Sequence, residues 1–242
     1  MKILKRYGET VSLSTTAKHI LFRPGYNVAR LYCASDFRVG LAPKLAKVVF
    51  FNATATTYTD YTSYAVDRND STHVPLDGMI STDILYLGFK KPVRGFYLNI
   101  GGNVNAQAAT LDMEYMSAIT SAGVGTFTDV AADSDGTTSG GATLAVDGLY
   151  SFTLPAVTNG RILNNGDGTL SQDLYWYRFK PSTTLSVTVD IVDIIPACDT
   201  TNYGYALADK PEIIRLNTAK NGAFEFSHSD NGTLYIDWLE VE

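Results

Sequence analysis

Long hydrophobic runs are missing from this chain of 242 residues. None approaches the roughly 20 apolar residues of a membrane-crossing helix, so no membrane partner is expected. Cysteine is almost absent: Cys33 and Cys198 are the only two. A disulfide-built scaffold needs many more, which leaves either two buried thiols or one bridge between the two ends of the chain. Basic residues are few, with 19 Lys plus Arg against 25 Asp plus Glu and a net charge of −6. That balance argues against the basic face that broad nucleic-acid binding requires. The opening Met1–Glu9 is charged and has no apolar core of a signal peptide, so the chain reads as made and folded in a reducing cytoplasm.

The motifs of several enzyme classes are missing as well. There is no GxSxG nucleophile elbow, no GxxxxGK[ST] phosphate loop and no GxGxxG. His19, His73 and His228 have no paired spacing, whereas zinc needs three or four converging ligands. The run Asp129-Val-Ala-Ala-Asp133-Ser-Asp135-Gly136 places acidic oxygens at intervals that suit calcium, but it lacks the bidentate Glu of a full loop and reads as a surface turn. No catalytic residue, metal ligand or cofactor is expected. A pair of glycosidase carboxylates has no sequence signature, so a carbohydrate-active enzyme stays open as a third class.

What the chain does have is aromatic and β-branched residues in period two. There are 15 Tyr and 11 Phe, residues that favour strands. The clearest case is Asp173–Ile194. Tyr175, Tyr177 and Phe179 alternate with Leu174, Trp176 and Arg178. After a turn at Pro181-Ser182, Leu185, Val187, Val189 and Ile191 alternate with polar residues. This predicts two strands with one face on a core. Similar runs predict strands over Thr10–Ser14, His19–Arg23, Val28–Ala34, Val48–Asn52, Ile84–Phe89, Gly95–Ile100, Thr110–Met116, Ala142–Val146, Leu149–Leu154, Glu212–Leu216, Ala223–Ser227 and Thr233–Val241. Asp147-Gly148 and Asn231-Gly232 read as hairpin turns. Asn159-Gly160, Asn165-Gly166, Asp167-Gly168 and Asn221-Gly222 mark further turns. Three long loops remain: Ala53–Pro75, Ser117–Gly141 and Val157–Asp173.

The fold class is therefore all-β, a jelly-roll-like β-sandwich, with a second small β region formed by the two chain ends. The boundaries are an N-terminal β segment over residues 1–46, a main sandwich over 47–197, and a C-terminal β segment over 198–242 that packs with 1–46. The Tyr58–Tyr64 loop, YTDYTSY, offers aromatic faces with polar tips. Tyr58, Tyr61, Tyr64 and Trp176 are the candidate partner or glycan contacts.

The order of motifs carries a resemblance. Asp83-Ile-Leu-Tyr-Leu-Gly-Phe89 is followed by Val93-Arg-Gly-Phe-Tyr-Leu-Asn-Ile100, then by Leu174-Tyr-Trp-Tyr-Arg-Phe179 and Leu185-Ser-Val-Thr-Val-Asp-Ile191. Over roughly residues 83–196 the chain resembles β-sandwich structural proteins of tailed bacteriophages, which occur as head decoration (cement) proteins and as tail or baseplate components. The resemblance implies a non-catalytic virion protein on the outer head surface. Its partners would be the major capsid protein and copies of itself as a homo-trimer. The Met1–Ser14 segment and the Ala53–Pro75 loop would be the contact elements. The alternative is a tail or baseplate adhesin that binds host surface carbohydrate.

Overall fold

In chain order the strands are β1 (Ile3–Leu13), β2 (Lys18–Leu21), β3 (Val28–Cys33), β4 (Phe37–Pro43), β5 (Leu45–Asn52), β6 (Thr57–Asp60), β7 (Val74–Pro75), β8 (Ile84–Phe89), β9 (Gly95–Ile100), β10 (Leu111–Ile119), β11 (Gly125–Asp129), β12 (Ser134–Asp135), β13 (Gly148–Ser151), β14 (Tyr175–Pro181), β15 (Asp190–Pro196), β16 (Gly204–Ala206), β17 (Glu212–Arg215), β18 (Asn221–Ser227) and β19 (Gly232–Val241). The computed structural model describes residues 2–14, 16–69, 71–156, 162–163, 168–197, 204–206 (backbone only), 211–228 and 232–242. Among these the one helical element is a single 3-10 turn, Tyr64–Val66. The protein is all-β, with several antiparallel sheets arranged in the manner of a β-sandwich. No helix among the described residues is long and apolar enough to cross a membrane.

Contacts divide the chain into two units, Leu45–Ile195 and the pair of flanking segments Met1–Lys44 with Pro196–Glu242. In the Leu45–Ile195 unit one sheet has the order β11-β10-β14-β8-β5-β6 and the other β12-β13-β9-β15-β7. Side chains from both sheets meet in one core. Leu85, Leu87 and Phe89 of β8, Met113 of β10 and Phe179 of β14 come from the first; Phe96 and Leu98 of β9 and Tyr150 of β13 come from the second. The rings of Phe89 and Phe96 lie 6.2 Å apart and stacked, and Tyr177 meets Phe89 edge-on at 5.6 Å. The Tyr177 hydroxyl is satisfied by the main chain of Val93, donating to its carbonyl and accepting from its N–H, both at 3.1 Å.

The flanking segments form their own pair of sheets, β1-β19-β3-β17 and β16-β4-β18-β2. Alternation along β3 and β19 turns Ala29, Leu31, Cys33, Leu234, Ile236 and Trp238 into one core with Phe37, Phe224 and Phe226. Phe224 lies 4.8 Å from Phe22 and 5.7 Å from Trp238. Cys33 is a free, buried thiol; Cys198 lies outside the described residues. So do the expected turns Asn159-Gly160 and Asn165-Gly166, residue 167 of Asp167-Gly168, and residue 231 of Asn231-Gly232.

Several expectations are corrected. β14 does not have one buried face but two: Tyr177 and Phe179 enter the sandwich core, while Leu174 and Trp176 enter a second cluster with Val49, Tyr86, Met116, Leu163 and Leu170. Leu185–Val189 is irregular rather than a strand, and Val187 is 84% exposed. The main chain there is held by Met79 and Asn105 instead of a ladder: Leu185 N–H donates to the Met79 carbonyl and Ser186 N–H to Asn105 Oδ1. Ala142–Val146 is also no strand. It wraps around Thr137, with Leu144 in the left-handed region at φ 54°, so Asp147-Gly148 is not a hairpin turn. Asp147 instead accepts from the Ile100 N–H at 2.8 Å. The loops Ala53–Pro75 and Ser117–Gly141 contain strands of their own, β6 and β7 in the first and β11 and β12 in the second.

Candidate functional site

The four candidate aromatic contacts are not one patch. Trp176 is 1% exposed. It sits on a strand in the interior of the six-stranded sheet, packs with Leu163 and Leu170, and donates its indole N–H to the Gln172 carbonyl at 3.3 Å. It has no face left for a sugar ring, and its assignment as a contact is corrected on that ground. Tyr58 packs into the same cluster, its ring 4.6 Å from Phe51. Tyr61 packs against the sandwich core. Tyr64, in the 3-10 turn, is 42% exposed and its ring lies 5.9 Å from that of Tyr61. Of the four, Tyr64 is the one with an open face.

Two carboxylates of the Asp129–Asp135 loop, Asp133 and Asp135, are used internally. Asp133 accepts from the Tyr150 hydroxyl. Burial, and then this bond, push the phenol of Tyr150 well above its ordinary pKa. Asp135 accepts from Thr137 N–H at 2.9 Å and from the hydroxyls of Thr137, Thr138 and Thr143 at 2.6, 3.0 and 2.5 Å. These bonds tie β12 to the Thr137–Leu144 segment. Among the described residues no group of three or more His, Cys, Asp or Glu converges as metal ligands.

The histidines fall in three separate places. His19 on β2 is directly opposite Glu225 on β18, Nε2 to Oε2 at 3.4 Å. His73 lies 3.2 Å from Asp190, whose other oxygen accepts from Asn103 at 2.5 Å. His228 shares a 2.6 Å hydrogen bond with Ser35, and Ser35 is 3.6 Å from Cys33. This last cluster has the atoms of a nucleophile and a base, and no motif announced it: its members come from the β3–β4 turn and the end of β18. Gly232 lies directly against it. A Cβ there would stand 3.2 Å from Ser35 Oγ and 3.3 Å from His228 Nε2, so the main chain of β19 closes that side. The bond works as a staple between the two sheets of the flanking unit.

Among the described residues, one carboxylate of β15 is buried away from any ion pair. Asp193 is 7% exposed, and Asn99 donates to its Oδ2 at 3.3 Å. Burial raises its pKa, against the Asn99 bond, a main-chain bond from Arg68 and the charge of Arg68.

Strand β1 forms an open edge of the flanking unit. β1 pairs with β19 from Ile3↔Val241 to Leu13↔Gly232. Among the described residues no strand pairs with its other side. Such an edge presents a row of free N–H and C=O groups. It also exposes Ile3, Leu4 and Tyr7. Charges line it: Lys5 meets Glu240 at 3.0 Å, Arg6 holds Asp237 through both Nε and Nη2, and Arg23, 3.5 Å from Glu9, lies over the Tyr7 ring. On the outer face of the same sheet Tyr32 and Tyr235 are directly opposed and exposed, with ring centroids 6.2 Å apart.

Comparison of the chain with protein-family models, with curated proteins and with solved structures returned no match.

Proposed function

We propose that the chain is a non-catalytic structural protein of a tailed-phage virion, of the head-decoration (cement) type. In this reading it is made in the host cytoplasm and binds the outer head surface between capsomers, through the major capsid protein and copies of itself. The β1 edge carries the proposal. An eleven-residue edge strand with exposed apolar side chains is a docking element for strand addition by a neighbour. Occupancy of many equivalent sites then stabilises the shell by mass action. The phage assignment rests on the resemblance over residues 83–196. Immunogold electron microscopy of the parent particle, with antibody to this chain, tests it: label spread over the head is expected, and absence of label from the particle overturns it.

A second reading is the tail or baseplate adhesin. The observation that favours it is the set of exposed tyrosines, Tyr64 and the opposed pair Tyr32 and Tyr235, since open aromatic faces suit sugar rings. Label confined to the tail tip would select it.

A further inference from the structure

We infer that the partner of the β1 edge is a second copy of the same chain, added antiparallel about a two-fold axis that passes through Tyr7. The inference rests on the assembly reading for its purpose, not for its geometry, and it puts a two-fold dimer in place of the homo-trimer that the resemblance implies.

The argument is one of register. Two identical edges joined about a two-fold axis perpendicular to the sheet keep the same face up, so odd residues meet odd and even meet even. Within the regular ladder that starts at Lys5, centring on Tyr7 sets Tyr7 against Tyr7, Lys5 against Glu9 and Arg6 against Gly8. An opposite charge and an aromatic pair then face each other on one side of the sheet, each a favourable cross-strand pair. Moving the centre to Arg6 opposes two arginines and sets Lys5 against Tyr7. Moving it to Gly8 sets Lys5 against Val11 and Tyr7 against Glu9. Of these three centres, the Tyr7 one sets Lys5 against Glu9.

The in-chain charges extend the pattern. Arg23 meets Glu9 and Lys5 meets Glu240 within one copy. The Lys5–Glu9 contact across the axis joins these pairs into a row that alternates in sign: Arg23, Glu9, Lys5 of the second copy, then its Glu240. On the other face Gly8 lies beside Asp237. A side chain at residue 8 would stand 3.5 Å from Asp237 Oδ1. Within each copy that carboxylate is already held by its own Arg6. The register offset at Leu4, between Ile3 and Lys5, ends the regular ladder, and a short, centred pairing closes on itself rather than propagating as a filament.

The experiment uses the full chain. Sedimentation equilibrium is expected to give twice the 26.3 kDa chain mass. Tyr7→Cys is expected to form an interchain disulfide under mild oxidation, because residue 7 faces its own copy. Leu4→Cys and the unsubstituted protein are the controls and are expected to stay uncrosslinked. Circular dichroism and a thermal melt establish that both variants are folded. A monomer at all concentrations, a trimer, or equal cross-linking at residues 4 and 7 overturns the two-fold pairing. Label on the virion reads location and the cross-link reads the edge, so either result fails without the other.

Discussion

Arg178 on β14 stands directly opposite Glu114 on β10 and donates from Nε to its Oε2 at 2.6 Å. Burial works against the guanidinium charge, yet the Glu114 contact outweighs it and holds the pKa above the ordinary value. The guanidinium also lies over the Phe127 ring, 4.1 Å from its centroid. Removing one partner leaves a partly buried charge uncompensated. Glu114→Ala is expected to cost roughly 2–4 kcal/mol in urea unfolding. Combining it with Arg178→Met is expected to cost less than the two single changes summed. Additive losses would show that the pair is not coupled.

Asp193 supplies a pH dependence. Its folded-state pKa lies above the unfolded value, so the folded protein binds that proton more tightly. The associated stability is present at low pH and is lost as pH rises from the ordinary carboxylate range through the raised value. Asp193→Asn keeps an acceptor for Asn99 and removes the charge. It is expected to stabilise the protein at neutral pH by on the order of 1 kcal/mol, with the gain vanishing toward acid. Thermal melts of both proteins across pH check this, and a gain that grows toward acid would contradict it.

Gly148 is a close-approach glycine. A Cβ there would lie 2.1 Å from the carbonyl oxygen of Gly136 and 2.8 Å from the Thr137 nitrogen. Both obstacles are backbone and cannot swing aside. Gly148→Ala is expected to lose about 4 kcal/mol or more, or to leave no folded protein. Gly102→Ala, which meets nothing within 4 Å, is expected to stay within about 0.5 kcal/mol. Urea midpoints of the two variants decide it.

Trp176 and Tyr64 separate core from surface. Trp176→Ala is expected to cost about 3–5 kcal/mol, because it empties the cluster around Leu163, Leu170 and Leu174. Tyr64→Ala is expected to change stability by no more than about 0.5 kcal/mol. If the chain is an adhesin, the Tyr64 change weakens glycan binding at unchanged melting temperature; a glycan array with both proteins measures it.

Strands whose side chains alternate were legible from residues alone. Gly95–Ile100 has the same bounds in sequence and structure, and Ile84–Phe89, buried on both faces, was found as a continuous apolar run with the same bounds. β6 and β11 were not, because Thr57–Asp60 and Gly125–Asp129 are edge strands that each turn a single large apolar side chain, Tyr58 and Phe127, onto the second cluster among Thr, Asp and Gly. β4 was missed as a strand because Gly40 and Pro43 punctuate it. Leu185–Val189 misled in the opposite sense: it alternates, but side-chain acceptors on Asn105 and Asp77 claim its N–H groups. The burial of Trp176 depends on Leu163 and Leu170, contacts that period two does not encode. The Ser35–His228 bond joins positions 193 residues apart, beyond any local pattern.

The placement of β19 has a consequence for synthesis. It lies between β1 and β3 in their sheet, yet the ribosome makes it after every strand of the Leu45–Ile195 unit. A nascent chain therefore holds a complete set of strands for the inserted unit while β1 and β3 still lack their shared neighbour. Translation makes every strand of the insert available first, and the sheet that holds β1 and β3 can close only when β19 arrives. That closure joins residues more than 200 positions apart, the kind of long-range pairing that is slow. Stalling before β19 would leave two raw edges on the nascent chain, and molecular chaperones would be needed most at that moment.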